Sequence, residues 1–282
     1  MRILVTGASG FLGRVLCSKL EENNFKVIPL QHDDCEITDY SKLKMLFSRK
    51  KPGVVVHAAA ITDTDYCEKN KEECFKVNIV GTEFVQNLCN NLKINMVLLS
   101  TDFVFDGKKG NYKEEDFRNP VNYYGFSKMV AEDITEKLEN HLIIRTSSIF
   151  GYFHPKKMDF PSFVITNLSA GKEVKIAKDF FRKPTFVEDL ANAIIFLIKK
   201  RQNGIFHCCG SERISSYEFA LKIATHFNLN KSLIKPVLSK EINLKAKRPR
   251  DSSLNTKKIE NLGYRFMNLD SAIEKSDYRE ML

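Results

Sequence analysis

The sequence predicts an α/β protein, with a doubly wound parallel sheet followed by a smaller C-terminal α/β lobe. Three observations carry this. Short apolar runs alternate with amphipathic ones through the first 150 residues, and strands that alternate with helices build a parallel sheet covered on both faces. The first apolar run leads directly into "TGASGFLG", a glycine turn opening a helix. After Gly151 the rhythm changes at the turn-rich "YFHPKKMDFP". Right-handed crossovers then set the winding.

The elements follow in order. "RILVT" (2–6) is a strand, residues 11–23 a helix, and "KVIPL" (26–30) a second strand. Residues 40–49 read as a helix and "VVVHAAA" (54–60) as the third strand. Phe75, Ile79, Phe84, Leu88 and Leu92 fall near helical spacing in one long helix over 70–92. "NMVLLST" (95–101) is strand four, and a helix carries "YYGFSKMVAEDITEKL" before a strand "LIIRTSSIF" (142–150). Beyond the break come a helix near 161–170, a strand at 173–177, a helix over 187–200, a strand "GIFHCCG" (204–210) and helices at 216–228 and 270–281.

Composition bounds the function. The chain has 282 residues, 43% hydrophobic and 28% charged, as expected of a soluble globular protein. No apolar run approaches the roughly 20 residues of a membrane span, and the start "MRILVTG" does not read as a secretory signal. Seven cysteines, an odd number without a CxxC pair, suit reduced thiols in the cytoplasm. The net charge of +9 is spread along the chain, so it reads as a lysine-rich surface and not a nucleic-acid interface.

The glycine turn carries the first chemistry. Gly7, Gly10 and Gly13 stand between a strand and a helix, the context that marks dinucleotide binding. Gly7 allows a tight turn, Gly10 the close approach of a pyrophosphate, and Gly13 close packing of the helix. The free N–H groups of the helix start, at Phe11 and Leu12, face the phosphates. Residues 1–150 are thus read as a Rossmann-type domain, with 183–207 returning to it, and 151–282 mainly as the second lobe. Strand two ends "PLQHDD". Gln31 and His32 are neither acidic nor basic in the way that separates NAD from NADP. Asp33 could meet a ribose and Arg14 a 2′-phosphate, so this reading leaves the cofactor choice open.

In "NYYGFSK" (122–128), Tyr124 and Lys128 are four apart and share one helix face. Tyr123 shares a different face with Ser127. One stripe therefore offers a phenol beside an ammonium.

Together with "HAAA" (57–60) and "STDFVFDG" (100–107), these stretches resemble the extended short-chain dehydrogenase/reductase family. Within it, "RTSSIFG" (145–151), "KPTFVEDLA" (183–191), "GIFHCCGSERISSYEFA" (204–220) and "RPRDSSL" (248–254) resemble the dTDP-4-dehydrorhamnose reductases. The resemblance spans nearly the whole chain in order. It implies a catalytic trio of Thr101, Tyr124 and Lys128, with Tyr124 as the acid. Thr101 is expected to donate to the substrate oxygen, and the Lys128 ammonium to lower the tyrosine pKa and hold the nicotinamide ribose. It further implies cofactor contacts from Glu36, Ile37, Ala58, Ala59 and Ala60, and substrate contacts from Asp102, Arg248 and Arg250. The cofactor implied is NADP(H) ahead of NAD(H), with a nucleotide-sugar substrate, no metal, no nucleic acid or membrane, and room for a homodimer.

Two departures stand out. These reductases commonly carry a tryptophan where this chain has Ser148, and some carry a metal-linked glutamate where it has Val15. The resemblance therefore implies reduction of a 4-keto-6-deoxy sugar nucleotide, dTDP-4-dehydrorhamnose first, without settling the sugar. The 4,6-dehydratases resemble "TDEVYG", with paired carboxylates that expel water, whereas Phe103 follows Asp102 here. A 4-epimerase would keep the same trio. "YKEED", "RPR" and "GIFH" also resemble the regulatory subunit of methionine adenosyltransferase, a non-catalytic relative. That subunit carries an extra N-terminal segment, whereas Met1 here leads directly into strand one, which is taken to favour an enzyme.

Overall fold

The computed structural model describes residues 1–152, 154, 158–278 and 281. Its main sheet contains β1 (Arg2–Thr6), β2 (Lys26–Leu30), β3 (Val54–His57), β4 (Asn95–Thr101) and β5 (His141–Thr146). The short strands β6 (Ile149–Phe150), β7 (Val174–Ala177), β8 (Phe181–Arg182) and β9 (Thr185–Phe186) follow. Next come β10 (Gly204–His207), β11 (Ile214–Ser215) and β12 (Ile234–Val237). The six-stranded sheet has the order β10-β5-β4-β3-β1-β2, and every pairing in it is parallel. The short strands make three two-stranded ladders: β11 with β8, β12 with β7, and β6 with β9.

Alternation along each strand explains the double winding. In β1, Ile3 and Val5 face one way and pack with Leu16 and Leu20 of α1 (Phe11–Glu22) and with Leu190, Ile194 and Leu197 of α8 (Val187–Lys199). Leu4 faces the other way, among Leu43 and Phe47 of α2 (Tyr40–Lys50) and Val85 and Leu88 of α5 (Gly81–Leu92). Each such leucine or isoleucine taken from water contributes about 1.5–3 kcal/mol. The C-terminal lobe has its own core. Val164, Ile165 and Leu168 of α7 (Phe160–Ser169) meet Phe219 and Ile223 of α9 (Ser216–His226) and Leu269 and Ile273 of a last helix, Leu269–Lys275.

The structure shortens several expected elements. The third strand stops at His57, not at residue 60. His57 pairs with Thr6, the last residue of β1, and Gly7 then turns away at φ +69°, so Ala58 has no ladder partner. The strand expected over 142–150 breaks after Thr146, because Ser148 adopts φ 43°. The strand expected over 204–210 ends at His207.

The single helix expected over 70–92 is instead a chain of pieces. It contains α4 (Lys71–Cys74), a π-helical stretch Phe75–Val80 and α5, and a short α3 (Thr64–Lys69) precedes it. Such π-turns shift side chains off the regular stripe and recur at functional sites. The helix expected over 270–281 ends at Lys275. Beyond it, the Asp277 N–H donates to Gly151 O at 2.8 Å, and Tyr278 Oη accepts from Gly151 N–H at 2.8 Å while donating to Asp159. Tertiary bonds to the 151–159 segment replace the helical ones there; residues 279 and 280 lie outside the described set. No helix among the described residues is long and apolar enough to cross a membrane.

Candidate active site

β1 and β3 are neighbours in space, and their crossovers run to opposite sides, so the strand order reverses between them. A crevice opens beyond the carboxyl ends at such a point. Here it is a cleft of about 710 Å³, lined by the glycine turn, Ala58–Ala60, Glu36, Ile37, Thr101, Asp102, Tyr124 and Lys128. Every residue expected to bind cofactor or carry the chemistry therefore lines one cavity. Gln31 and His32 line the same end. Asp33 is not among the lining residues, and Arg14 donates its Nε–H to Ser9 O at 3.1 Å.

The glycine turn is packed without slack. A Cβ on Gly7 would stand 2.8 Å from Ala59 N, and one on Gly13 would stand 2.1 Å from Gly7 O. The helix therefore starts hard against the turn. No side chain caps α1 at Gly10, so its first N–H groups keep their capacity for an anion.

Tyr124 and Lys128 sit on α6 (Tyr123–Thr135). Asn122 caps this helix by accepting from Gly125 N–H at 2.8 Å, and donates to Lys247 O at 2.8 Å. Gly125 is needed because a Cβ there would stand 2.2 Å from Phe103 O. This contact brings the chain after β4 against the helix, with the Phe103 and Tyr124 rings edge-on at 6.0 Å.

A buried polar chain fixes the helix from below. Thr82 gives its single hydroxyl proton to Asn78 O (2.7 Å), so it accepts from His57 Nε2–H (3.1 Å). His57 Nδ1 then accepts from Thr6 Oγ1–H at 2.8 Å, while Thr6 Oγ1 accepts from Ala59 N–H at 3.2 Å. Burial pulls the His57 pKa down to about 3, with Lys128 adding repulsion, so the ring is a neutral link. The Asn78 amide clamps Ile61 through both its atoms, at 2.8 and 3.0 Å, and donates to Ser127 Oγ at 3.0 Å. Ser127 donates to Tyr124 O at 2.8 Å. The π-helical stretch places Asn78 for this task. None of these polar links was expected from the sequence, because their partners lie up to 53 residues apart.

Electrostatics differ from the expectation at the phenol. Burial pushes the Tyr124 pKa up, with the Asp102 charge in the same sense, and the Thr101 hydroxyl only partly offsets this. The lysine ammonium does not outweigh desolvation of the phenolate. Burial also pulls Lys128 down to about 8, opposed by Glu132, which leaves it charged at neutral pH.

The three residues expected to meet substrate are placed differently from one another. Asp102 lines the cleft wall, but its carboxylate is spent on the protein: it accepts from Thr101 (3.1 Å), Ser147 (3.0 Å) and Ser252, with Arg182 at 3.7 Å. Arg248 and Arg250 do not line the cleft. Arg248 pairs with Asp65 at 3.1 Å and donates to Ala246 O at 2.9 Å, and Arg250 pairs with Asp179 at 3.3 Å. Local carboxylates claim both guanidinium groups. Tyr123 also stays out of the cleft, with Lys71 over its ring at 5.5 Å.

Residues the sequence reading did not single out complete the site. Tyr152 backs the cleft residue Phe11, stacking on it with ring centroids 4.5 Å apart and donating to Phe11 O at 2.5 Å. Asp159 lines the cleft and caps α7, accepting from Ser162 N–H at 2.9 Å. The "DFP" stretch, an acidic cap ahead of a proline in the first turn, was the legible signal for Asp159.

Known proteins share this architecture. The solved structure of a dTDP-4-dehydrorhamnose reductase from Bacillus anthracis, in complex with NADP, superposes with a TM-score of 0.92 at 27% identity, covering 98% of each chain. The spore coat polysaccharide biosynthesis protein SpsK of Bacillus subtilis is 32% identical over 94% of this chain and 92% of its own. The methionine adenosyltransferase 2 subunit beta of Bos taurus is 28% identical over 93% of this chain and 82% of its own. The family model described as RmlD substrate binding domain matches residues 1–276, and with this match the chain belongs to that family.

Proposed function

We propose that this protein is an NADP(H)-dependent oxidoreductase that reduces the 4-keto group of a nucleotide-linked 6-deoxy sugar, with dTDP-4-dehydrorhamnose the leading substrate. The observation that carries the reading is the joining of Thr101, Tyr124 and Lys128 to the glycine turn in one cleft. The residues fit a dinucleotide: the turn leaves no room for a Cβ at Gly7 or Gly13, the helix start is uncapped, and Ala58–Ala60 keep the wall low. The seven free thiols suit action in the cytoplasm.

When bound, the nicotinamide supplies the hydride. The protein's own residues then handle the proton and the fit. Tyr124 gives its phenol proton to the oxygen of the reduced carbonyl, and burial keeps that proton in place until it is needed. Lys128 contributes positive charge to stabilise the phenolate and would hold the ribose hydroxyls of the bound cofactor. Thr101 stands beside the phenol and fixes where that oxygen lies. Dehydration is disfavoured, because Asp102 is engaged by protein groups and the next residue is the apolar Phe103.

Gly13→Ala tests the cofactor half. Its Cβ would meet Gly7 O at 2.1 Å, so the turn must move. NADPH affinity, read by nucleotide fluorescence, is expected to fall about tenfold or more, equivalent to about 1.4 kcal/mol. Unchanged affinity removes the turn from the site.

The whole reading is tested by loss of NADPH and NADH absorbance with dTDP-4-keto-6-deoxy-L-mannose generated in situ. Turnover, faster with NADPH, is the expected result. Tight NADPH binding without turnover, together with co-purification with a methionine adenosyltransferase, would overturn it. That outcome would favour a regulatory subunit, a role consistent with the bovine relative.

A further inference from the structure

Cys67 of α3 and Cys74 of α4 are seven residues apart. In one unbroken helix they would lie about 10 Å apart along the axis. The chain breaks at Asn70 instead, with φ −119° and ψ 58°, and both thiols turn to one spot. Cys67 Sγ lies 3.6 Å from Ile61 O. Asn78 Nδ2 donates to that same oxygen at 3.0 Å and to Cys74 Sγ at 3.3 Å. The two thiols also hydrogen-bond each other. Both are 0% exposed, and neither is in a disulfide.

The pair stands behind the cleft and against the helix of the phenol. Ile61, Thr64, Glu73 and Val77, its neighbours in the chain, line the cleft. Cys74 Sγ lies 3.6 Å from Ser127 Oγ, and Ser127 donates to Tyr124 O at 2.8 Å. The two sulfurs differ in character. The bond from Cys67 pulls the Cys74 pKa down against burial, and the Lys128 charge acts in the same sense, whereas Cys67 is pushed up. The thiolate is the form that attacks, so Cys74 is the nucleophile of the two. Neither takes part in the proposed reduction.

We propose that Cys67 and Cys74 form a redox-active dithiol, a modification site for a small peroxide, whose disulfide slows the reductase through Asn78 and Ser127. The Cys74 thiolate attacks one peroxide oxygen and the O–O bond breaks. The departing hydroxide takes up the proton that Cys74 had released and leaves as water. A sulfenic acid remains. Cys67 then attacks that sulfur: the S–S bond forms, the S–O bond breaks, and the second hydroxide leaves with the Cys67 proton as water. The two thiols give up two electrons and the peroxide takes them.

A disulfide needs its sulfurs about 2.0 Å apart. Cys74 must therefore draw toward Cys67, and its contacts with Asn78 and Ser127 must change. Helices α3 and α4, six and four residues long, are short enough to yield. Ser127 then shifts beneath the Tyr124 carbonyl, and misplacing a reacting group by an ångström costs up to about 100-fold in rate. The effect on rate rests on the reductase reading; the disulfide itself does not.

The test treats the intact protein with hydrogen peroxide and reads mass and rate. The expected result is a loss of about 2 Da, a linked Cys67–Cys74 peptide after digestion, and a fall in kcat of about tenfold or more that dithiothreitol reverses. Cys67→Ser, which leaves Cys74 beside Asn78 and Ser127, should yield no linked peptide. The link is read in the parent protein, so the result does not depend on how that variant folds. No link, or a link through other cysteines, overturns the proposal, as does a linked protein with the parent's kcat. A parent without turnover sinks the reductase reading alone. Hydrogen exchange then judges the coupling: the α6 amides should exchange faster in the linked form, and unchanged exchange overturns it.

Discussion

Replacing Tyr124 by phenylalanine is expected to lower kcat about a thousandfold while NADPH binding stays near the parent value. General acid catalysis by one positioned group contributes about 10²–10⁴-fold, and the phenol is the acid the cleft offers beside Thr101 and Lys128. The substitution removes one oxygen and leaves the ring, so its edge-on packing against Phe103 at 6.0 Å survives. The helix is held independently of that oxygen, through Asn122 at its cap and Ser127 on the Tyr124 carbonyl. The defect should therefore appear in the chemical step and not in folding. Single-turnover absorbance with preformed NADPH complex measures it. A loss below about tenfold would mean that another group delivers the proton.

Glu132→Ala is expected to destabilise the fold by about 3–5 kcal/mol, the cost of leaving a buried charge without its partner. Glu132 lies on α6 one turn past Lys128, is 0% exposed, and bonds Arg145 of β5 through both oxygens at 2.9 and 2.7 Å. Ser100 of β4 and Arg118 also donate to it, at 2.5 and 2.9 Å. Arg145 is 1% exposed and rests on the Phe105 ring at 5.1 Å, so water cannot replace the lost carboxylate. Urea unfolding followed by circular dichroism measures the change. Exchanging both partners for leucine should restore much of the loss, because a buried pair often does no better than a well-packed apolar one. A cost under about 1 kcal/mol for Glu132→Ala would place the pair in the class of exposed bridges. The same residue opposes the burial shift on Lys128, so surviving Glu132→Ala protein should also lose part of its alkaline activity.

Local patterns already contained much of this. The apolar alternation of "RILVT" and "VVVH" follows from burial on both faces of a parallel sheet, and the glycine spacing from a turn that excludes Cβ atoms. The Tyr124–Lys128 stripe follows from the helical repeat alone. The resemblance added Thr101, which spacing could not supply. Each of these depends on neighbours within a few residues or on a repeated period, which a single sequence displays directly.

The rest depended on pairings across the chain. "HAAA" leaves the sheet after His57 because Gly7 has already turned away, and the long helix takes a π-turn that seats Asn78 under Ser127. Arg248 and Arg250 look like phosphate ligands in isolation, but Asp65 and Asp179 claim them, 183 and 71 residues away. Asp102 lines the cleft, but the sequence does not show that Ser147, Arg182 and Ser252 close around its carboxylate. The sequence by itself determined the sheet, the glycine turn and the tyrosine–lysine stripe, because periodicity and steric exclusion are local. Only the tertiary structure decided which charges stay free to meet a ligand, because that depends on which distant donors and acceptors the fold brings within hydrogen-bonding reach.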